Sequence, residues 1–432
     1  MHLTTRALLF VILIAVLAIS GLWSHNPLWQ NAWRAGALLL LLGLLFEQLR
    51  VRKVGVDAAL QVDGRLYLGQ AHAARFRLTN RSRRAQRLAY APTAPPGCAR
   101  LGPPRLLELA AGGTIDDTWL LMPQRLGQHV IPPQPARLLG PLGLAWWSRV
   151  LRVEGRLRVG PDCLRQGQLR AAGMHSGLRA RRIQGSGAEL SGLRLYRRGD
   201  PPGRIDWKVS ARCRELVTRE YSEDQHLDIV VALDAGRLSR LRAGSLDRLG
   251  LFANIAARFA QYAVLQDDRI GFLLFADRVL AFGAPHRGIA AVTALRRALE
   301  NLAPELADSD PLVAALRLRY SLVHRSLIVM LTDLNDAAVH ERLVRSAQLL
   351  APRHVLLVAG AKDPQIDSLI DAAPRGWRDP WLALAAADHA ARTASQIERL
   401  RHAGVPVVVA AESILEAQVL RTYERLRQRR RV

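Results

Sequence analysis

The sequence predicts two N-terminal transmembrane helices, a small β-sandwich and an α/β doubly wound domain. Three observations carry this reading. Two long apolar stretches open the chain. Short alternating segments broken by Pro and Gly follow, up to about residue 160. Continuous apolar runs then alternate with helical periods. At 432 residues the chain exceeds a usual single domain, so more than one folded unit is expected. The boundaries fall at residues 1–50 for the helices, 54–160 for the sandwich, 161–191 for a Gly- and Arg-rich linker, and 192–432 for the α/β domain.

The apolar stretches are Ala7 to Trp23 and Trp29 to Phe46, the second interrupted by Arg34. Each approaches the roughly 20 residues that cross a hydrocarbon core. Ala18-Ile19-Ser20 has some likeness to a cleavage site, so a cleaved signal peptide competes for the first stretch. A second span following at once argues against it. Arg50, Arg52 and Lys53 lie just past the second span, while the connector Ser24 to Ala35 carries one Arg. The positive-inside rule then puts the soluble domains in the cytoplasm, on an inner (cell) membrane, with both termini on that side. Trp23, Trp29 and Trp33 cluster at the connector, where aromatic rings favour the interface.

The formal charge is +24, and Lys occurs only at 53, 208 and 362. Arg, Ala and Leu enrichment is a compositional bias first. Its physical consequence is a surface that favours anions, with acidic lipid the nearest candidate for a tethered chain. Cys98, Cys163 and Cys213 are isolated. No CxxC pair is available for zinc, and an odd count argues against a disulfide framework, so free thiols in a reducing compartment are expected.

Within 54–160, Ala74 to Leu78 alternates and Asn80-Arg81-Ser82 makes a turn. Thr114 to Met122, His129 to Ile131 and Arg156 to Val159 are further strand candidates. Strands at this spacing suggest an antiparallel sandwich, with Trp146 and Trp147 as packing residues. Beyond the linker, Ile229 to Leu233, Arg269 to Phe275, Leu327 to Leu331, Val355 to Ala359 and Val405 to Ala410 read as buried strands. Arg278 to Phe282 offers a hairpin partner. Helical periods cover Leu246 to Leu265, Ile289 to Leu302, 338–350, 382–403 and Glu412 to Arg429. The basic run Arg427, Arg429, Arg430 and Arg431 complements the dipole of that last helix.

The stretch Gly192 to Tyr221 fits neither a helix stripe nor a strand. It packs Tyr, Trp, Arg and acids around Gly199-Asp200-Pro201-Pro202-Gly203. Tyr196, Gly199, Asp200, Ile205, Asp206, Trp207, Ser210, Ala211, Arg212, Leu216, Arg219, Glu220 and Tyr221 resemble the signature of the domain of unknown function 58 (DUF58) family. Members of that family carry a von Willebrand factor A-like domain. The turn Gly140-Pro141-Leu142-Gly143 is similar to the family's Asp-Pro-Leu-Gly element, with Gly140 in place of the acid. The resemblance implies an immunoglobulin-like sandwich before the α/β domain. It also implies a membrane-anchored partner of MoxR-type AAA+ ATPases acting on a client protein.

Two constellations invite chemistry. Ligands of doubly wound sheets sit at the carboxyl ends of the strands, where Asp234 and Asp333 stand. The resembled domains bind magnesium there through Asp-x-Ser-x-Ser, a separate Thr and a later Asp. Here Gly236 and Leu238 replace both serines, Ser239 is one position out of register, and Thr332-Asp333 matches the later element. Two carboxylates with waters could still hold magnesium, whereas Arg237 could pair with Asp234 or Asp333 and make it unnecessary. In the signature, Asp200–Arg204–Asp206 and Arg212–Glu220 suggest acid–base catalysis or, more simply, a charge network that ties down an extended loop. Trp207 and Tyr221 would then be buried anchors; an exposed Trp and Arg set would instead be a protein-binding hot spot.

The sequence holds no GxxxxGK[ST], HExxH or GxSxG, and nothing like a zinc finger or a specific nucleic-acid motif. His226, His286, His324 and His354 are scattered, with His354 read as a strand-edge residue. The expectation is a non-enzymatic adaptor without a cofactor, its partners membrane lipid, an AAA+ ATPase and a client. The alternatives are a metal-dependent hydrolase using Asp234 and Asp333, or a basic anchor that binds acidic lipid or polymer.

Overall fold

The computed structural model describes residues 2–429 apart from 24–25, 63, 102–103, 154, 164–183, 223–225 and 352. These form two compact units. The first takes residues 1–162 together with 244–250 and 299–303; the second takes 163–243, 251–298 and 304–432. The expected 192–432 domain therefore yields two short stretches to the first unit.

In the first unit, α1 (Thr5–Leu22) starts where the Thr4 side chain accepts from Ala7 N–H. α2 (Pro27–Arg52) starts where Asn26 accepts from Leu28 N–H, with Pro27 in the first turn. Both helices are long and apolar enough to cross a membrane. α2 runs past the end of the apolar stretch at Phe46 and carries Glu47 in its last two turns. The expected boundary at residue 50 thus falls inside a helix.

The β domain holds a five-stranded and a four-stranded sheet. In the four-stranded one, His72–Asn80 pairs antiparallel with Val56–Val62 and Thr114–Pro123. Ala74, Phe76 and Leu78 turn inward and Arg75 and Arg77 outward, the period of two that the sequence showed. Phe76 stacks on Trp119 at 4.5 Å and on Tyr90 at 5.4 Å in the core. A third, three-stranded sheet contains a parallel pair, Leu66–Tyr67 with Arg156–Gly160, so the domain is not purely antiparallel. Parallel pairing needs a long connection between its strands, and alternation patterns do not report it.

The side chain of Glu47 is fully buried. Its carboxylate accepts from Leu142 N–H (2.9 Å), Leu144 N–H (2.9 Å), Ala145 N–H (3.0 Å) and Trp147 Nε1–H (3.3 Å). Leu142 and Leu144 lie in the turn between the Gln134–Leu139 and Ala145–Leu151 strands, and Ala145 and Trp147 open the second of these strands. A Cβ on Gly140 would lie 2.1 Å from Glu47 Cδ, so only glycine leaves room for the carboxylate. The N-terminus meets the same turn. His2–Leu3 pairs with Ala145–Trp146, and Thr4 Oγ1 donates to Gly143 O at 2.6 Å.

The second unit is built on a six-stranded sheet. Asp228–Asp234 lies between Arg269–Phe275 and Ser326–Leu331, followed by Val355–Ala361 and Val407–Ala410, all parallel. Val279–His286 adds an antiparallel edge by a hairpin. Ile229, Val231 and Leu233 are as buried as Val230 and Ala232, so both faces are covered. The helices are α3 (Trp207–Cys213), α4 (Arg248–Leu265), α5 (Ile289–Glu300), α6 (Pro311–Ser321), α7 (Ala337–Leu350), α8 (Pro364–Asp371), α9 (Asp379–His402) and α10 (Glu412–Arg429). α6 and α8 were not expected; Asp310 and Asp363 cap them ahead of a Pro, a signal the periodicity reading passed over.

On one face, α6 and α7 bring Ala314, Leu318, Leu343 and Leu350 onto Val230, Ala232 and Leu273. α4 and α10 meet edge-to-face through Phe259 and Tyr423 at 5.2 Å. Arg427 does more than complement a helix dipole: its guanidinium pairs with buried Asp268 at 3.2 Å. The strand Gln184–Leu195 begins inside the expected linker 161–191, and residues 164–183 lie outside the described residues. His354 stands immediately before Val355–Ala361, buried, and burial lowers its pKa.

Glu47→Ala should unseat the turn. It leaves four donors without their acceptor, two of them, Leu144 N–H and Ala145 N–H, buried, at about 1–3 kcal/mol for each that stays dry. Thermal unfolding of the full chain in detergent should drop well below wild type, with Gly140→Ala also lowered. Unchanged midpoints in both variants would show that the carboxylate does not hold the turn.

Candidate functional site

The carboxyl ends of the parallel strands carry the first candidate. Asp234 ends its strand, and Thr332-Asp333 follows the neighbouring Ser326–Leu331 strand directly. The two acids therefore stand at adjacent strand ends, as the sequence suggested. Asp234 is buried, and three protein donors occupy it. Thr332 Oγ1 donates to Oδ2 at 2.6 Å, Gly236 N–H donates to Oδ1 at 2.8 Å, and Ser309 Oγ donates to Oδ1 as well. Burial raises the pKa of Asp234, against these three hydrogen bonds.

Ser309 is the residue that sequence reasoning missed. It stands over Gly236, where a Cβ would fall 2.2 Å from its Oγ. The absent side chain at 236 is thus the space that Ser309 fills. The loop bearing it is seated by backbone bonds: Glu305 N–H to Ala235 O, Arg237 N–H to Ala307 O and Asp310 N–H to Ala276 O. A hydroxyl just before the Asp310-Pro311 helix start was the available signal.

Arg237 pairs with Asp308 and, at 3.8 Å, with Asp336, not with Asp234 or Asp333 as expected. It is half exposed and lies on the loop side of the site, whereas Asp234 is sealed beneath. Asp333 Oδ1 accepts from Asn335 N–H (2.9 Å) and Nδ2 (2.8 Å). Leu238 is partly buried, and Ser239 Oγ donates to Gly236 O at 2.6 Å rather than joining Asp234. Among the described residues, no group of three or more His, Cys, Asp or Glu is arranged to hold a metal ion. A cation reaching Asp234 would have to break the hydrogen bonds that Ser309, Thr332 and the Gly236 N–H make to its carboxylate.

The second candidate is the signature stretch. Gln184–Leu195 and Val217–Ser222 form a two-stranded antiparallel sheet, pairing Leu193 with Arg219 and Leu195 with Val217. Asp200 accepts two bonds of 2.7 Å from Arg194 and one of 2.9 Å from Arg197 N–H. The Arg194 guanidinium, then the Arg197 N–H, hold its pKa down at about 2. Gly199 has φ 107°, a left-handed conformation that favours glycine at this turn. Asp206 caps α3 by accepting from Lys208 N–H and Val209 N–H, both at 3.1 Å, and pairs with Arg219 at 3.0 Å. The Val209 N–H and Arg219 lower its pKa. Ser210 is buried, accepting from Val217 N–H at 2.9 Å and donating to Asp206 O at 2.7 Å. Ile205 is buried and Tyr196 partly so; Tyr196 N–H donates to Leu216 O.

The charge network is therefore present, but with Arg194 and Arg219 as the partners of the two acids rather than Arg204. The side chains of Glu220 and Tyr221 lie outside the described residues. Trp207 is not a buried anchor: it is 66% exposed. It occupies the first position of a seven-residue helix that Asp206 caps. Leu193, Leu195 and Leu216 are exposed near it in the same stretch. Arg197, Arg198, Lys208, Arg212 and Arg214 have no ion pair among the described residues.

Residues 192–380 match the family model described as "Protein of unknown function DUF58", which supports the family the signature resembled. No curated protein matches the chain. Solved structures that resemble parts of it include native alpha-2-macroglobulin from Escherichia coli, from domain MG7 to the C-terminus: 20% identity, 26% of this chain, 17% of that one, TM-score 0.20. Proximal thread matrix protein 1 from the mussel byssus, with a zinc-occupied MIDAS motif, shows 14% identity over 32% of this chain and 36% of its own, TM-score 0.25. A FixG-related protein from Vibrio parahaemolyticus shows 10% identity over 24% of this chain and 95% of its own, TM-score 0.17. The chain thus spans well under half of the first two.

Two outcomes follow. Trp207→Ala, a surface change, should stay within about 0.5 kcal/mol of wild-type stability, read from denaturant unfolding; a loss of several kcal/mol would return the ring to the core. Asp234 has a folded-state pKa raised above its unfolded value of about 3.9. Its contribution to stability is full below that unfolded value and is lost as pH rises through the folded one. Asp234→Asn should therefore match wild type near pH 4 and become the more stable protein as pH rises to 7. A variant that loses ground with rising pH would reverse the assigned shift.

Proposed function

We propose that this chain is a membrane-anchored adaptor or scaffold without catalysis of its own, working beside a MoxR-type AAA+ ATPase on a client protein. The observation that carries this is the contrast between the two candidates. At the strand ends, where a von Willebrand A-like doubly wound domain would bind its ion, the Asp234 carboxylate is spent on Ser309, Thr332 and Gly236. In the signature stretch, an internally braced framework presents Trp207 beside cations that have no partner within the described residues. Trp and Arg are the residue types that dominate interface energetics. We place the soluble units on the cytoplasmic side of an inner membrane, from the cations Arg50, Arg52 and Lys53 after the second span. No cofactor is part of this reading.

The decisive measurement is retention of an AAA+ ATPase by the full chain extracted in mild detergent. Trp207→Ala combined with Arg212→Glu should weaken retention by about 2 kcal/mol or more, roughly thirtyfold, with thermal stability unchanged. Full retention by a folded double variant would sink the docking role. Millimolar magnesium should leave the thermal midpoint where it is. A saturable rise abolished by Asp234→Ala, of the order of 2.7 kcal/mol at 100 times the dissociation constant, would revive the metal-dependent alternative.

A further inference from the structure

The turn that receives Glu47 has an apolar tip, and its position along α1 and α2 fixes how deep that tip lies. Leu142 Cδ1 is 3.6 Å, and Leu144 Cδ1 3.0 Å, from the place where Gly43 would carry a Cβ. Gly43 precedes Phe46, the last residue of the apolar stretch, by three positions, about 4.5 Å of helix. α1 gives the same level independently. Thr4 N–H donates to Leu144 O at 2.9 Å, Thr4 Oγ1 donates to Gly143 O at 2.6 Å, and the apolar run of α1 opens at Ala7. Both helices thus set the turn at the edge of their apolar lengths.

Leu142 is 48% exposed, and Pro141 is exposed beside it. Phe46, Leu45 and Leu8 on the helices are exposed as well. Cations stand at the same edge. Arg6 Nη1 comes within 3.3 Å of the Cβ position of Gly143, and Arg50, Arg52 and Lys53 close α2. Residues 131–153 contain no acid, and Glu47 is the one acid in residues 1–56. That carboxylate is buried beneath its four donors, so it does not oppose an anion outside.

We propose that the Gly140–Leu144 turn is a lipid-contacting wedge, seated in the headgroup layer of an anionic bilayer with Arg6 and Arg50 facing the phosphates. This rests on the reading of α1 and α2 as membrane spans. An apolar tip under a collar of arginines is the arrangement of an interfacial anchor. The surface is continuous with the lipid-facing sides of the two helices, and its charge is complementary to anionic headgroups. Glu47 fixes the wedge at a set depth on α2.

The test uses the full chain with Cys98→Ala, Cys163→Ser and Cys213→Ser, reconstituted into vesicles of phosphatidylcholine and phosphatidylglycerol. An environment-sensitive fluorophore is placed in turn at Leu142→Cys, Pro141→Cys, Leu13→Cys and Val150→Cys, and quenched by lipids that are spin-labelled at the headgroup or deep in the chains. Leu13 lies midway along α1 and reports the span. Val150 is exposed on a strand that runs from the Glu47 contact at Ala145 to the Val51 carbonyl, bonded by Arg149, and so leads away from the apolar stretch.

Deep quenching at 13, shallow quenching at 141 and 142 about 15 Å from the bilayer centre, and none at 150 are expected. Shallow quenching should weaken when phosphatidylglycerol is left out; an equal signal in phosphatidylcholine alone would remove the anionic preference. Quenching at 141 and 142 as low as at 150, with 13 still deep, would overturn the wedge while sparing the span. Shielded emission at 141 and 142 that lipid quenchers do not reach would overturn it in favour of contact with protein. Failure at 13 would bring down the membrane reading itself, and the wedge with it.

Discussion

Both units depend on one constraint: a carboxylate taken out of water must be met by donors, or its burial opposes folding. Four of the buried acids among the described residues show how it is met. Glu47 takes three backbone N–H groups and the Trp147 indole. Asp117, under the sandwich aromatics, takes the Tyr90 hydroxyl, Arg105 and the Trp119 indole. Asp234 takes Ser309, Thr332 and Gly236. Asp268 takes the Tyr423 hydroxyl, the Leu227 N–H and Arg427. Each acid draws together segments that apolar packing alone would leave free to slide, because hydrogen bonds demand direction as well as proximity.

Glycine completes two of these knots by leaving space. Gly140 has no Cβ where the Glu47 carboxylate lies, and Gly236 has none where Ser309 Oγ lies. In each case a side chain expected within a local motif is absent, and a group from elsewhere in the chain fills the space. At 140 the missing acid of the resembled turn gives way to the carboxylate of α2. At 236 a serine from the loop before α6 takes the space that a side chain would need. The two glycines are thus sites of closure.

Closure at the strand ends and openness in the signature stretch divide the second unit into a self-satisfied part and an available part. The parallel sheet ends in polar groups that bond one another. The two-stranded sheet at 184–222 is braced by Arg194–Asp200 and Arg219–Asp206, yet leaves Trp207 in solvent. A brace of this kind fixes the backbone that carries the exposed ring, which lowers the backbone ordering cost of any contact the stretch makes.

Much of the fold was legible because it is written in neighbouring residues. The apolar runs at 229–233 and 327–331 became parallel strands, the alternation at 74–78 became a half-buried strand, and the Gly199 turn needed its glycine. Apolar period, turn chemistry and capping act over a few positions, so the sequence by itself determined the parallel strands, part of the sandwich, most helices and the two long apolar stretches, whereas the strands Gln184–Leu195 and Val217–Ser222 and the helix between them were hidden in a stretch with no clear period. It did not determine who meets whom. Glu47 finds Leu142 across 95 positions, and Asp234 finds Ser309 across 75 and Thr332 across 98. Nor did it determine that Arg237 would turn to Asp308, or that Trp207 would lie outside the core. Those outcomes rest on which distant segments the packed units bring within about 3 Å of a buried charge, and on what is left over to cover a side chain. Only the tertiary structure decides either.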